Sequence, residues 1–129
     1  MNKWFALWIA LKEKLHGKIS PPPQVNEGEV WWASMGENIG GEINGKNEAF
    51  TRPVVIFKRF SKSLFFVIPL TSKIKYGTWF VAYMFRNYQV TACLHQARTI
   101  DYRRLSSRLG RLDEMNLKII RERFRDLYF

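Results

Sequence analysis

The groups best placed to do chemistry are an arginine entering a strand just before a proline and two hydroxyl residues where the next strand ends. Arg52 precedes Pro53 at the close of a glycine-containing stretch, and Thr71, Ser72 and Lys73 end the following apolar run. If the two runs pair as a hairpin, the start of one lies beside the end of the other. Arg52 and Thr71-Ser72 then become neighbours, and Glu42 in the preceding loop can hang over them. A fixed guanidinium, two hydroxyls and a nearby carboxylate suit a phosphodiester, because guanidinium grips phosphate oxygens bidentately and meets charge as it builds in a transition state. The ordinary alternatives are a surface ion pair for Arg52 and plain strand-end hydroxyls for Thr71 and Ser72.

Other chemistries find little to work with. The chain has no CxxC, HExxH, P-loop or GxSxG pattern, and the stretch GENIGGEING (Gly36–Gly45) lacks the Lys-Ser/Thr of a phosphate loop. With one cysteine and two histidines a zinc site has few ligands to draw on. Cys93 stands alone in an apolar run, reads as a small buried hydrophobe, and fits a reducing, cytoplasmic setting. Lysine and arginine number 21 against 11 acids, a formal net charge of +10 that favours polyanionic partners. From Ala49 to Ile100 there is no Asp or Glu, while Arg52, Lys58, Arg59, Lys62, Lys73, Lys75, Arg86 and Arg98 all fall there. Glu27, Glu29, Glu37, Glu42 and Glu48 precede this segment, and Asp101, Asp113, Glu114, Glu122 and Asp126 follow it. An acid-free, apolar middle suits contact with negative charge and disfavours a two-metal nuclease, which needs clustered carboxylates.

The elements that must hold these residues follow from periodicity. Trp4, Leu7, Trp8, Leu11 and Leu15 share one face of a helix over residues 3–16, ended by Gly17 and by Pro21-Pro22-Pro23. Its apolar run is too short to span a bilayer, no small-residue cleavage site follows it, and no membrane association is expected. A helix this short is marginal alone, so docking on the main domain is favoured over a partner-binding or membrane-surface role. Residues 1–20 are thus an amino-terminal extension, 21–27 a proline-rich linker and 28–129 the main domain. Within the latter, Glu29–Met35 reads as a strand, Gly36–Thr51 as a long glycine loop, and Pro53–Phe60 with Leu64–Leu70 as a hairpin. Thr78–Phe85 and Tyr88–His95 form a second hairpin about Arg86-Asn87. Tyr102–Leu109 reads as a short basic helix closed by Gly110, whose Arg103, Arg104 and Arg108, with Arg111 just beyond, form a solvated face or a phosphate-contacting stripe. Asp113 is a plausible N-cap for a last helix presenting Leu117, Ile120, Phe124 and Leu127. Trp31, Trp32, Trp79 and Phe80 read as core more readily than as base-stacking platforms, although one exposed aromatic at the site would fit single-strand recognition. The class is α+β, mainly β: a small antiparallel barrel with a carboxy-terminal helix and an extra amino-terminal amphipathic helix.

Six collinear stretches also carry a family resemblance: GEVWW at Gly28–Trp32, IGGE at Ile39–Glu42, RPVVIF at Arg52–Phe57, IPLTSKIK at Ile68–Lys75, QARTID at Gln96–Asp101 and RLSSRLGRL at Arg104–Leu112. Together the chain resembles a MazF/PemK-type toxin, the ribonuclease half of a bacterial toxin–antitoxin pair. That resemblance implies an SH3-like, CcdB-like barrel, usually a homodimer, cutting single-stranded RNA without a metal or cofactor to leave a 2′,3′-cyclic phosphate. It also implies a cognate antitoxin with an acidic tail. The family's catalytic arginine falls on Arg52, its hydroxyl residue on Thr71 and its loop glutamate on Glu42. Candidates for RNA contact within the matched stretches are Gly40, Gly41, Ser72, Lys73, Lys75, Gln96 and Arg98. The chain departs from the family at Ile43, where Gln is frequent, near His95, where an acid is frequent, and at Ala97.

The implied mechanism is in-line attack by the 2′-hydroxyl, with Arg52 stabilising the phosphate. Arginine stays protonated and is a poor base, which leaves Glu42, a water near Thr71, or His95 for proton abstraction. A histidine ending an apolar strand is more often structural. A different class shares the barrel: a non-enzymatic poison of gyrase type, which does not need Arg52 or Thr71.

Overall fold

The computed structural model describes residues 4–46 and 50–129. The start of the expected first helix at residue 3, and Glu48 within the glycine loop, lie outside the described residues.

An amino-terminal helix, α1 (Phe5–His16), precedes strands β1 (Glu29–Ser34), β2 (Thr51–Arg59), β3 (Leu64–Thr71), β4 (Phe80–Phe85), β5 (Tyr88–Cys93), β6 (Arg98–Asp101) and β7 (Leu105–Arg111). The chain closes with α2 (Glu114–Tyr128). The described strands form one seven-stranded antiparallel sheet in the order β4-β5-β3-β2-β1-β7, with β6 beside β3. The bend is carried by β3, whose first half (Leu64–Val67) pairs β6 and whose last residues, Leu70 and Thr71, pair β5. β2 runs along its other edge. The sheet curls into a barrel that stays open, since β4 and β7 are edges that do not pair with each other. They still come close: a Cβ on Gly110 would lie 3.2 Å from the Phe85 ring.

β2 shows why the run Pro53–Phe57 is apolar throughout. Val54 and Ile56 point into one core with Trp31, Met35, Phe65 and Ile100, while Val55 points to a second core with Ile68, Leu70, Leu117 and Ile120 of α2. With both faces covered, the middle of the strand has no polar side to show. Asp113 caps α2 as expected, accepting the Asn116 N–H at 2.7 Å. The Arg86-Asn87 turn has positive φ at both residues (52° and 67°), the twist a two-residue hairpin needs.

One expectation is overturned. Tyr102–Leu109 is not a helix: Tyr102–Arg104 makes a single 3₁₀ turn and Leu105–Arg111 is β7, paired to β1 with two register shifts. Leucines four apart and a following glycine mimic a helix end locally, but β1 offers a long edge, and Gly110 lies opposite Val30 where a Cβ would crowd the Phe85 and Arg86 side chains. The arginines of this segment are therefore not a helix face. Arg103 binds Asp101, Arg104 donates to the Ser34 carbonyl, Arg108 binds Glu29, and Arg111 reaches Glu114 and the Glu27 carbonyl.

Candidate active site

β2 and β3 pair with Val54 opposite Pro69, and stepping two residues outward puts Arg52 across from Thr71. The guanidinium is anchored from two sides: Nε donates to the Asn44 carbonyl at 2.8 Å and Nη1 to the Leu70 carbonyl at 3.2 Å. Among the described residues its remaining N–H groups have no partner, and no ion pair involves it. Burial lowers its pKa from the ordinary guanidinium value, yet arginine remains charged at neutral pH. It is a pre-aimed cation whose own carbonyl partners cannot neutralise it.

The loop that presents it is knotted by asparagines. Asn38 N–H donates to Asn44 Oδ1 at 2.6 Å, and Asn38 Nδ2 donates to the Met35 and Ile43 carbonyls. These bonds set the Asn44 carbonyl that Arg52 uses. On the other side, Thr71 is buried and its Oγ1 accepts the Lys73 N–H at 3.3 Å, while Thr91, opposite it on β5, donates to the Lys73 carbonyl at 2.9 Å.

Arg52 and Thr71 share a cavity of about 180 Å³ with Lys46, Lys73, Lys75, Phe80, Cys93, His95 and Gln96. It is flanked by a second of about 220 Å³ walled by Trp32, Pro53, Leu70, Ser72 and Val90, which also contains Lys46, Arg52 and Thr71. A third, of about 370 Å³, shares Ile43, His95 and Gln96 with the first and adds Asn38, Glu42 and Arg98. The first thus shares lining residues with each of the other two, and Arg52 lines both the first and the second. Gln96 lines the first and the third: Oε1 accepts the Ile43 N–H at 3.2 Å and Nε2 donates to the Gly41 carbonyl at 3.1 Å.

The structure thus brings Arg52, Thr71, Lys73, Lys75, Gly41 and Gln96 together, with Ser72 on the apolar side of Arg52 and Arg98 in the far cavity. Glu42 does not hang over Arg52. It lines the far cavity, and its Oε1 accepts the Ile39 N–H at 2.9 Å, closing its own tight turn. Gly40 is exposed in the loop, and a Cβ there would meet nothing within 4 Å.

Several site residues were missed or underweighted in the sequence. Trp79 and Phe80 are not simply core: Trp79 is 46% exposed, Phe80 lines the Arg52 cavity, and the two rings flank His95 at 5.5 and 5.1 Å. Burial lowers the His95 pKa, and Lys75 lowers it further against the opposing hydrogen bond that the ring donates to the Trp79 backbone carbonyl. Its imidazole is therefore neutral at pH 7. Lys46 and Asn44 lie in a polar loop and gave no periodic signal. Cys93 borders the cavity, but burial raises its pKa despite Arg52 and Lys75, leaving a protonated thiol and a poor nucleophile. Among the described residues no group of three or more His, Cys, Asp or Glu side chains could hold a metal ion. No described helix is long and apolar enough to cross a membrane.

Comparison with known proteins bears on the fold. The crystal structure of MazF (Form-I) from Deinococcus radiodurans superposes with a TM-score of 0.66 at 19% identity, covering 80% of this chain and 94% of that one. The MazE–MazF structure (Form-II) from the same organism gives 0.61 at 16% identity, covering 80% and 93%. At such identities the likeness establishes the fold. No curated protein sequence matches significantly. A family model described as PemK-like, MazF-like toxin of type II toxin-antitoxin system matches residues 26–128, and the chain belongs to that family.

Proposed function

We propose that this protein is a metal-independent endoribonuclease that cuts single-stranded RNA at the Arg52 cavity, and that an acidic antitoxin restrains it. The observation that carries the reading is the anchored guanidinium, whose other donors are unspent among the described residues, facing a cavity whose described lining also holds three lysines and no carboxylate. A phosphodiester entering that cavity meets Arg52 at its oxygens, and the flanking cavities accommodate the neighbouring nucleotides of an unpaired strand. The relatives include a MazF solved with MazE, which supports an antitoxin partner here, and the homodimer implied by the resemblance belongs to the same reading.

The chemistry follows from the groups present. The 2′-oxygen attacks phosphorus as its proton passes to a base, the P–O5′ bond breaks, and the leaving 5′-oxygen takes a proton from solvent or a cavity lysine. The products are a 2′,3′-cyclic phosphate and a 5′-hydroxyl. Arg52 stabilises the charge on the non-bridging oxygens, and Thr71 orders the turn that presents Lys73. His95 is the base in this scheme: it is neutral at pH 7 and lines the Arg52 cavity, whereas Glu42 is committed to its own turn.

Purified protein incubated with a long single-stranded RNA in EDTA should release fragments ending in 2′,3′-cyclic phosphate, and Arg52→Ala should not. Cleavage abolished by EDTA, or undiminished in Arg52→Ala, would overturn the proposal. Growth arrest that persists in Arg52→Ala without any RNA cleavage would instead assign the barrel a non-enzymatic role.

A further inference from the structure

α1 precedes the residues matched by the family model, yet it is not a loose appendage. Most of its apolar side chains stay exposed, including Leu7, an expected docking residue, and only Trp8 is buried. Trp8 is inserted at one place: the neck where the glycine loop leaves β1 and returns to β2. Its ring covers Gly36 so closely that any Cβ there would overlap it, and Gly36 has a φ of +87° that already favours glycine. It packs on the Phe50 ring at 5.6 Å, and the Arg104 guanidinium lies over it at 5.5 Å. Trp4 adds an edge contact to Phe50 at 6.4 Å.

Phe50 is an unusual residue to find there. It is buried, has a φ of +54°, and its carbonyl accepts both the Met35 N–H at 2.8 Å and the Gly36 N–H at 3.3 Å. A bulky side chain in the left-handed region persists only where its surroundings over-determine it. The loop ends are stitched at the same point: Gly45 N–H donates to the Gly36 carbonyl, and Lys46 and Thr51 exchange backbone hydrogen bonds at 2.8 and 2.9 Å. Arg52 is the next residue.

We propose that α1 is a positioning element for the Arg52 site, with Trp8 clamping the loop neck through Gly36 and Phe50 and thereby fixing Arg52 and Lys46 in the cavity. This rests on the ribonuclease reading for its effect on cleavage, but the clamp itself can be tested without it. The remaining anchors of the extension fit the role: the Arg103 guanidinium donates to the His16 carbonyl at 2.8 Å and the Tyr102 hydroxyl to the Ser20 carbonyl at 2.6 Å. They hold the helix in place at its far end without touching the cavity.

The test compares the full-length chain with Trp8→Ala, Trp8→Phe and Leu7→Ala, measuring RNA cleavage and amide hydrogen exchange in parallel. Small displacements of a positioned group cost up to about 100-fold in rate. Trp8→Ala should lower kcat by about tenfold or more with KM within about twofold, Trp8→Phe should restore most of it, and Leu7→Ala should match wild type. Exchange in Trp8→Ala should rise at Lys46 and Thr51 while the β4–β5 hairpin stays protected. Wild-type kcat in a folded Trp8→Ala, or exchange rising uniformly across the sheet, would overturn the proposal. If the wild type cuts no RNA while local exchange still rises at Lys46 and Thr51, the clamp stands and the ribonuclease reading falls.

Discussion

Two regions of this protein are rich in cations and differ in what those cations are doing. Along Asp101–Arg111 each arginine is committed: Arg103 to Asp101, Arg104 to a carbonyl and the Trp8 ring, Arg108 to Glu29, Arg111 to Glu114. Around the other region, no ion pair among the described residues involves Lys46, Arg52, Lys73, Lys75 or Arg98. The first set contributes to architecture, cross-linking the edge strand and helices. The second has no such ion pairs among the described residues, as the proposed role in binding RNA requires. Net charge alone does not separate them, because a surplus of +10 is felt at long range whichever residues supply it. What separates them is pairing with acids: Arg103, Arg108 and Arg111 each meet a carboxylate of the chain, whereas no described carboxylate pairs with a cation of the second set.

That contrast can be broken most sharply by making the same substitution in both regions. Arg52→Lys removes the planar fork while keeping the charge, and should lower kcat by about 100-fold or more. Arg108→Lys should leave cleavage within about twofold. Equal losses would mean that bulk positive charge, not the anchored guanidinium, does the work.

A smaller effect separates His95 from Glu42. If neutral His95 is the base, kcat/KM should rise with pH through a value below the ordinary histidine range, because burial and Lys75 lower its pKa, and should then stay flat through pH 7. His95→Ala should cost about 100-fold at the plateau and lose that acid limb, whereas Glu42→Gln should retain it. An unchanged pH profile in His95→Ala would return the base to Glu42 or water.

The structural region supplies the smallest expected change, one of stability. Burial alone would raise the Glu29 pKa, but hydrogen bonds from the Asn26 N–H, Trp31 Nε1 and Arg108 outweigh it and hold the carboxyl below its usual range. A depressed folded pKa contributes stability that is present above the ordinary carboxylate range and lost as pH falls through the folded value. Glu29→Gln should therefore cost about 1–3 kcal/mol near neutrality and flatten the acid side of the denaturation profile, with cleavage per folded molecule unchanged. A stability profile with the same acid slope in both proteins would remove Glu29 from that account.

The sequence made the Arg52–Thr71 pair legible because hairpin register is local: two apolar runs joined by Ser61-Lys62-Ser63 leave little choice of partner. The caps and the second hairpin were legible for the same reason. β7 was not, since the spacing of Leu105, Leu109 and Gly110 satisfies a helix locally and only the distant edge of β1 decides otherwise. Nor could the sequence show that Arg52 would be held by the carbonyls of Asn44 and Leu70, because backbone acceptors carry no residue signature. Glu42 was placed over the site on chain proximity, yet its carboxylate is taken by the Ile39 N–H three residues back. The docking of Trp8 on Gly36 joins residues 28 positions apart across a proline linker, a contact periodicity cannot register.

The central claim is that the guanidinium of Arg52, and not the general charge of the surface, accelerates RNA cleavage. It is tested most directly by chemical rescue: Arg52→Ala with single-stranded RNA in EDTA, titrated with guanidinium ion and, as a control of equal ionic strength, with ammonium. The account predicts negligible cleavage without additive and a saturable, guanidinium-specific recovery that yields the same 2′,3′-cyclic phosphate ends. Cleavage by Arg52→Ala without additive at the wild-type rate would contradict it.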